Sequence, residues 1–182
     1  YIRFDEDEVE GRCLSYVPTQ LRRALLDKKR TQALSIARVI FVGGASMAES
    51  LAEEVRKLKL PVMPVYGMTE TAAMVAAIPV ADFLTDSRVG ALPIGETKIE
   101  IGSSGRISIQ SPSLFKGYHG GEPLDLARGY LSGDAGYIDE NERLHVTGRI
   151  DRLVISGGEK IDPCEVEDAV SYTHLTLPTT GI

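Results

Sequence analysis

Hydrophobic positions fall into two textures along the chain: compact apolar runs with helical stripes first, then short alternating segments. A helix is expected over residues 15–26, where Leu21, Leu25 and Leu26 share one face. Pro18 sits near its first turn, where a missing N–H is not needed. The run Arg38-Val39-Ile40-Phe41-Val42, bounded by Gly43-Gly44, reads as a buried parallel strand. Ser46 and Glu49 have the spacing of a capping box, and Leu51, Val55 and Leu58 continue a helical stripe until Pro61 stops it. Residues 62–66 make the next strand, followed by Gly67 and a helical stretch over 69–77. Strand–helix–strand–helix at this spacing predicts a βαβ unit in an open parallel sheet.

Past Arg88 the pattern changes. Alternation at Lys98–Ile101, Arg106–Gln110 and 143–146, separated by Gly, Ser, Asp and Asn, predicts antiparallel strands in a small distorted barrel. A strand-like Leu153-Val154-Ile155 then leads through Ser156-Gly157-Gly158-Glu159 to a helix, with Asp162 as N-cap and Pro163 at its first position. The expected class is α/β. The end of a doubly wound parallel-sheet subdomain (1–87) precedes a small antiparallel β-barrel-like subdomain (88–150). The start of a C-terminal α+β domain (151–169) follows. Residues 170–182 are expected to be a non-native tail. The codons GTC TCT TAT ACA CAT CTG ACG CTG CCG ACG, a sequencing-library adapter read through, spell residues 170–179. The alternative is a native threonine-rich tail. With a start at Tyr1 rather than methionine, the chain reads as an internal fragment.

Composition narrows the chemistry. The 182 residues are 43% hydrophobic and 25% charged, ordinary values for a globular chain able to bury a core. A net charge of -6 argues against a general nucleic-acid or anionic-membrane binder, since both need clustered positive charge. The basic run Lys28-Lys29-Arg30 reads as a solvated helix end. Cys13 and Cys164 are far apart, which excludes a disulfide scaffold and fits a reducing, cytoplasmic setting. His119, His145 and His174 show no zinc-ligand spacing, and no apolar run approaches a membrane span.

Tyr66-Gly67-Met68-Thr69-Glu70 is placed at the carboxyl end of a parallel strand, the edge at which doubly wound sheets bind ligands. An aromatic ring there can stack on a base, and glycine lets backbone approach. A carboxylate beside phosphate needs a hard cation such as Mg²⁺ between them. Alone, the segment needs no ligand: a strand–turn–helix with Thr69 as N-cap would explain it. It is accompanied by Val42-Gly43-Gly44-Ala45, Tyr130-Leu131-Ser132-Gly133-Asp134, Gly148-Arg149-Ile150-Asp151, and Ser156-Gly157-Gly158-Glu159-Lys160 continuing to Glu167. In this order the five segments resemble the adenylate-forming superfamily of acyl-CoA synthetases, adenylation domains and luciferases, across nearly all of residues 17–169.

The resemblance implies a two-step ligase: a carboxylate and ATP give acyl-AMP, and CoA then displaces AMP. It implies that Gly43, Gly44 and Ala45 line the adenine and acyl pocket, and that Tyr66, with Gly67 beside it, stacks on adenine. Thr69 would contact the α-phosphate and Glu70 would hold Mg²⁺. Asp134 would accept both ribose hydroxyls, as a carboxylate can, and Arg149 would also reach the ribose. Asp151 would be the hinge of the C-terminal domain, and Gly157 and Gly158 would border the channel for the pantetheine arm of CoA. Taken singly, Asp134 after Gly133 also reads as a hairpin residue and Arg149 as a surface ion pair; the whole series favours the nucleotide roles. The superfamily's Ser/Thr/Gly-rich phosphate loop and its catalytic lysine have no counterpart here, so the fragment is expected to be inactive alone; Lys160 lies too early and is expected to be exposed.

Within the superfamily the chain resembles o-succinylbenzoate–CoA ligases of menaquinone and phylloquinone synthesis. The carrying segments are Val17-Pro18-Thr19-Gln20-Leu21, the Tyr66 segment through Ala72, Asp82-Phe83-Leu84, and the run from Arg149 to Leu153. The alternatives are another aryl- or acyl-CoA synthetase, a carrier-protein-loading adenylation domain, and a non-catalytic nucleotide-binding module. The resemblance leaves the oligomeric state open.

Overall fold

The structure is a computed structural model that describes residues 9–86, 88–150, 154–156 and 159–161. Its first part runs β1 (Cys13–Tyr16), α1 (Pro18–Leu25), α2 (Lys28–Ser35), β2 (Val39–Val42), α3 (Glu49–Lys57), β3 (Val62–Gly67), β4 (Met74–Ala77), α4 (Val80–Thr85) and β5 (Leu92–Pro93). These strands form one sheet in the order β1-β2-β3-β4-β5. The first three are parallel, whereas β3–β4 and β4–β5 are antiparallel. The second sheet is antiparallel, ordered β6 (Lys98–Ile101), β7 (Arg106–Gln110), β8 (Tyr130–Ile138) and β9 (Leu144–Arg149). It curls as a half-barrel, and a separate antiparallel pair, β10 (Val154–Ser156) and β11 (Glu159–Ile161), follows.

Three expectations are corrected. Residues 15–16 belong to β1, and the helix starts at Pro18, where proline's fixed φ suits the first helical position. The Gln20 side chain accepts the Val17 amide at 3.0 Å and closes that end. Ser46 is no N-cap: α3 opens two residues later, the Ala48 carbonyl taking the amides of Leu51 and Ala52. Residues 43–48 are used to carry the chain from the sheet edge to the helix layer. The helix expected over 69–77 is a 3-10 turn, Thr69–Thr71, followed by β4. The Thr71 hydroxyl donates to the Ala73 carbonyl at 2.7 Å and accepts the Met68 amide at 3.0 Å, so local side-chain bonds displace helical ones. Ala72 turns left-handed at φ 60°, which ends the turn and reverses the chain.

Among the described residues two apolar cores result. Leu21, Leu34, Ile40, Leu51, Val55, Val62 and Phe83 fill the space between the parallel strands and the helices. Val75 and Ala76 of β4 instead join Ile99, Ile107, Ile109 and Leu144 of the second sheet. Each such fully buried Leu, Ile or Val contributes about 1.5–3 kcal/mol. Ile78 packs against both cores, so the β3–β4 hairpin lies at their junction.

Candidate functional site

At that junction β3 delivers Tyr66 to β8. The Tyr66 hydroxyl donates to Asp134 Oδ2 at 2.7 Å, across 68 residues of chain. Burial and this carboxylate hold the phenol well above its ordinary pKa, so it remains a donor. Asp134 is presented by an irregularity in the ladder: Arg106 of β7 is opposite Ala135, but Ser108 is opposite Leu131. The surplus residues of β8 bulge there and re-aim the strand's side chains. Fully buried Ser132 accepts the Asp134 amide at 3.1 Å and steadies the bulge. Arg149, the cross-strand partner of Asp134 on β9, brings Nη1 to 3.8 Å from Asp134 Oδ1.

Glu70 stands on the 3-10 turn after β3. The Tyr118 hydroxyl donates to its Oε1 at 2.5 Å and lies 3.4 Å from the Tyr130 hydroxyl. Phe115 meets both rings edge-on, with centroids 4.8 and 5.5 Å away, and its amide donates to the Glu70 carbonyl at 2.8 Å. The Tyr118 bond holds the Glu70 carboxyl below the usual range, and the positive charge of Arg149 adds to the effect. The same bond raises the Tyr118 phenol.

Tyr66, Glu70, Asp134 and Arg149 are thus gathered from four separate elements. Exposed Thr69 lies next to Glu70 in the chain. Gly67 has a packing reason of its own, because a Cβ there would collide with the Ala73 carbonyl. A Cβ on Gly43 would come 2.7 Å from Val65 Cγ2, so this glycine lets the loop after β2 lie against β3 beside Tyr66. Gly44 has φ +82°, which glycine adopts freely, and Ala45 is exposed. Gly157, Gly158, the Asp151 hinge, the helix after Asp162 and the tail lie outside the described residues. Lys160 lies in β11, and its exposure is outside the description.

Sequence reasoning missed Tyr118 and Phe115 and assigned no role to Tyr130 and Ser132. The available signal was two aromatics within four residues of a loop otherwise polar and rich in glycine. A cleft of about 570 Å³ lies elsewhere, lined by Asp82, Asp86, Arg88, Asp139 and Arg143 among others. Its charges pair with each other or with His145, so it lacks the convergent donors and acceptors of the tyrosine–carboxylate cluster. Among the described residues no group of three His, Cys, Asp or Glu side chains gathers as a metal cage. A single ionised carboxylate such as Glu70 fits Mg²⁺, which takes its remaining ligands from substrate phosphates and water.

The family described as AMP-binding enzyme matches residues 7–119. The chain is 33% identical to the 2-succinylbenzoate–CoA ligase of Lactococcus lactis subsp. lactis (strain IL1403) over 92% of its length, which is 39% of that relative. It is 32% identical to the enzyme of the same name from Bacillus licheniformis, covering 99% of this chain and 41% of the relative. Among solved structures it resembles o-succinylbenzoate CoA synthetase from Bacillus subtilis in complex with the acyl-adenylate intermediate OSB-AMP. That match has TM-score 0.77 and 28% identity, over 94% of this chain and 39% of that one. The Bacillus subtilis enzyme in complex with ATP and magnesium ion matches with TM-score 0.76 and 28% identity, over 98% and 41%. The chain therefore spans about two fifths of the length of these relatives.

Proposed function

The chain belongs to the AMP-binding enzyme family, and from that premise we propose that its protein is an ATP-dependent acid–CoA ligase acting on o-succinylbenzoate. It would form the acyl-adenylate first and the CoA thioester second. The observation that carries this reading is the joining of Tyr66, Asp134 and Arg149 at one point between two sheets. An aromatic face, an ionised hydroxyl acceptor and a guanidinium are what a base, a ribose diol and a phosphate-bearing ligand require.

In this reading the Tyr66 ring supports adenine, and the backbone of Gly43, Gly44 and Ala45 borders the pocket. Asp134 accepts the ribose hydroxyls. Arg149 reaches the ribose with its fixed fork of donors, and Thr69 contacts the α-phosphate. Glu70 would hold Mg²⁺, which when bound supplies neutralisation of phosphate charge. Tyr118 keeps the Glu70 carboxylate ionised and directed. We place the work in the cytoplasm, where ATP and CoA are available.

The test is exchange of labelled pyrophosphate into ATP by the protein carrying this chain, with o-succinylbenzoate, benzoate and succinate offered separately. Exchange dependent on o-succinylbenzoate, with thioester formed on free CoA, is the expected result. Thioester formed only on a carrier protein would move the protein to the carrier-loading class. Exchange with none of the acids would remove the proposed substrate.

A further inference from the structure

We infer that Tyr66 is a positioning residue as well as a stacking platform: its hydroxyl fixes the direction of the Asp134 carboxylate and keeps it open to the two ribose hydroxyls. This rests on the nucleotide reading above. The two oxygens of Asp134 face different neighbours. Oδ2 accepts from Tyr66 at 2.7 Å, while Oδ1 stands 3.8 Å from Arg149 Nη1, beyond hydrogen-bond length. The last torsion of an aspartate is broad, so little but its partners decides where the carboxylate points. Without the phenol the carboxylate loses the short hydrogen bond that sets this torsion, while the longer ion pair with Arg149 remains. The carboxylate would turn from its present direction and leave the diol with a worse acceptor.

The backbone supports the same division of labour. Ser132 fixes the Asp134 amide from the buried side, so the strand itself does not move, and the choice is made by side chains alone. A carboxylate has about four lone-pair sites, so one bond to Tyr66 leaves room for a diol. Base and ribose recognition are thereby linked through one hydrogen bond between β3 and β8.

The experiment is equilibrium titration of the full chain with AMP and with 2′-deoxyAMP, in wild type, Tyr66→Phe, Asp134→Asn and the double variant, with a thermal melt of each. Phenylalanine keeps the ring, so in Tyr66→Phe AMP should lose more affinity than 2′-deoxyAMP, and the preference for AMP should fall by about threefold or more. In the Asp134→Asn background, adding Tyr66→Phe should cause no further loss of that preference. An unchanged AMP preference in Tyr66→Phe overturns the inference and leaves the nucleotide site standing. So does an equal loss in both backgrounds. A wild-type chain that binds AMP no better than 2′-deoxyAMP, or neither, overturns the ribose reading itself. Asp134→Asn also serves alone if Tyr66→Phe does not fold, because retained AMP preference there removes the carboxylate that Tyr66 is said to hold.

Discussion

Glu70 is ionised more readily than an ordinary glutamate because the exposed Tyr118 phenol donates to it. Tyr118→Phe should therefore raise the Glu70 midpoint, measurable by carbon-13 NMR of the carboxyl group. A lowered native pKa stabilises the fold above the unfolded value of about 4.3. That stabilisation is lost as pH falls through the native midpoint. The melting temperatures of wild type and Tyr118→Phe should consequently differ at neutral pH and converge in acid; a gap that widens in acid would contradict the assignment. Asp134 offers the sharper functional test. Hydrogen bonds to a charged acceptor contribute roughly 1.5–3 kcal/mol each, so Asp134→Ala should weaken AMP binding by about tenfold or more. Unchanged affinity in titration would take Asp134 out of the ribose site.

The β3–β4 hairpin is where the elements were hardest to read. Residues 38–42, Lys98–Ile101 and Arg106–Gln110 were legible because their apolar runs or alternation survive intact. Residues 69–77 were not, since spacing alone cannot reveal that the Thr71 hydroxyl bonds locally or that Ala72 turns left-handed. Strand β8 was hidden by Gly133, Asp134 and Gly136, which interrupt its alternation at the bulge that makes it useful. Lys28-Lys29-Arg30 was correctly taken as a solvated helix end: it opens α2, with the Asp27 carboxylate accepting the Lys29 amide at 2.9 Å. The site's tyrosine–carboxylate pairs join residues 48 and 68 positions apart, a distance no local pattern spans. The hairpin makes two opposite predictions. Ala72→Gly should stabilise the chain by about 1 kcal/mol, because alanine is disfavoured at φ 60°. Gly67→Ala should cost about 1–3 kcal/mol through the Ala73 carbonyl, both read from denaturant midpoints.

Across the whole molecule the two sheets are fastened at points other than the site. Arg143 of the β8–β9 turn donates to Asp82 of α4 at 2.7 Å and to the Gly90 carbonyl at 3.2 Å, and Ala91 bridges Leu144. Arg143→Ala should cost about 1–2 kcal/mol, reduced by the partial exposure of both partners, and Ala91 amide exchange should quicken. His145 lies 2.8 Å from Asp139 and holds that carboxyl below the usual range, so the acid limit of folding should move to higher pH in His145→Gln. The tyrosine cluster has one more consequence. The chain contains no tryptophan and seven tyrosines, and Tyr66, Tyr118 and Tyr130 all stand at the junction. Intrinsic ultraviolet emission, normally dominated by indole, therefore comes here from phenols, nearly half of them beside the proposed nucleotide. The arrival of a base or a cation is thus written into the unlabelled protein's own spectrum, and a single stopped-flow trace can time it.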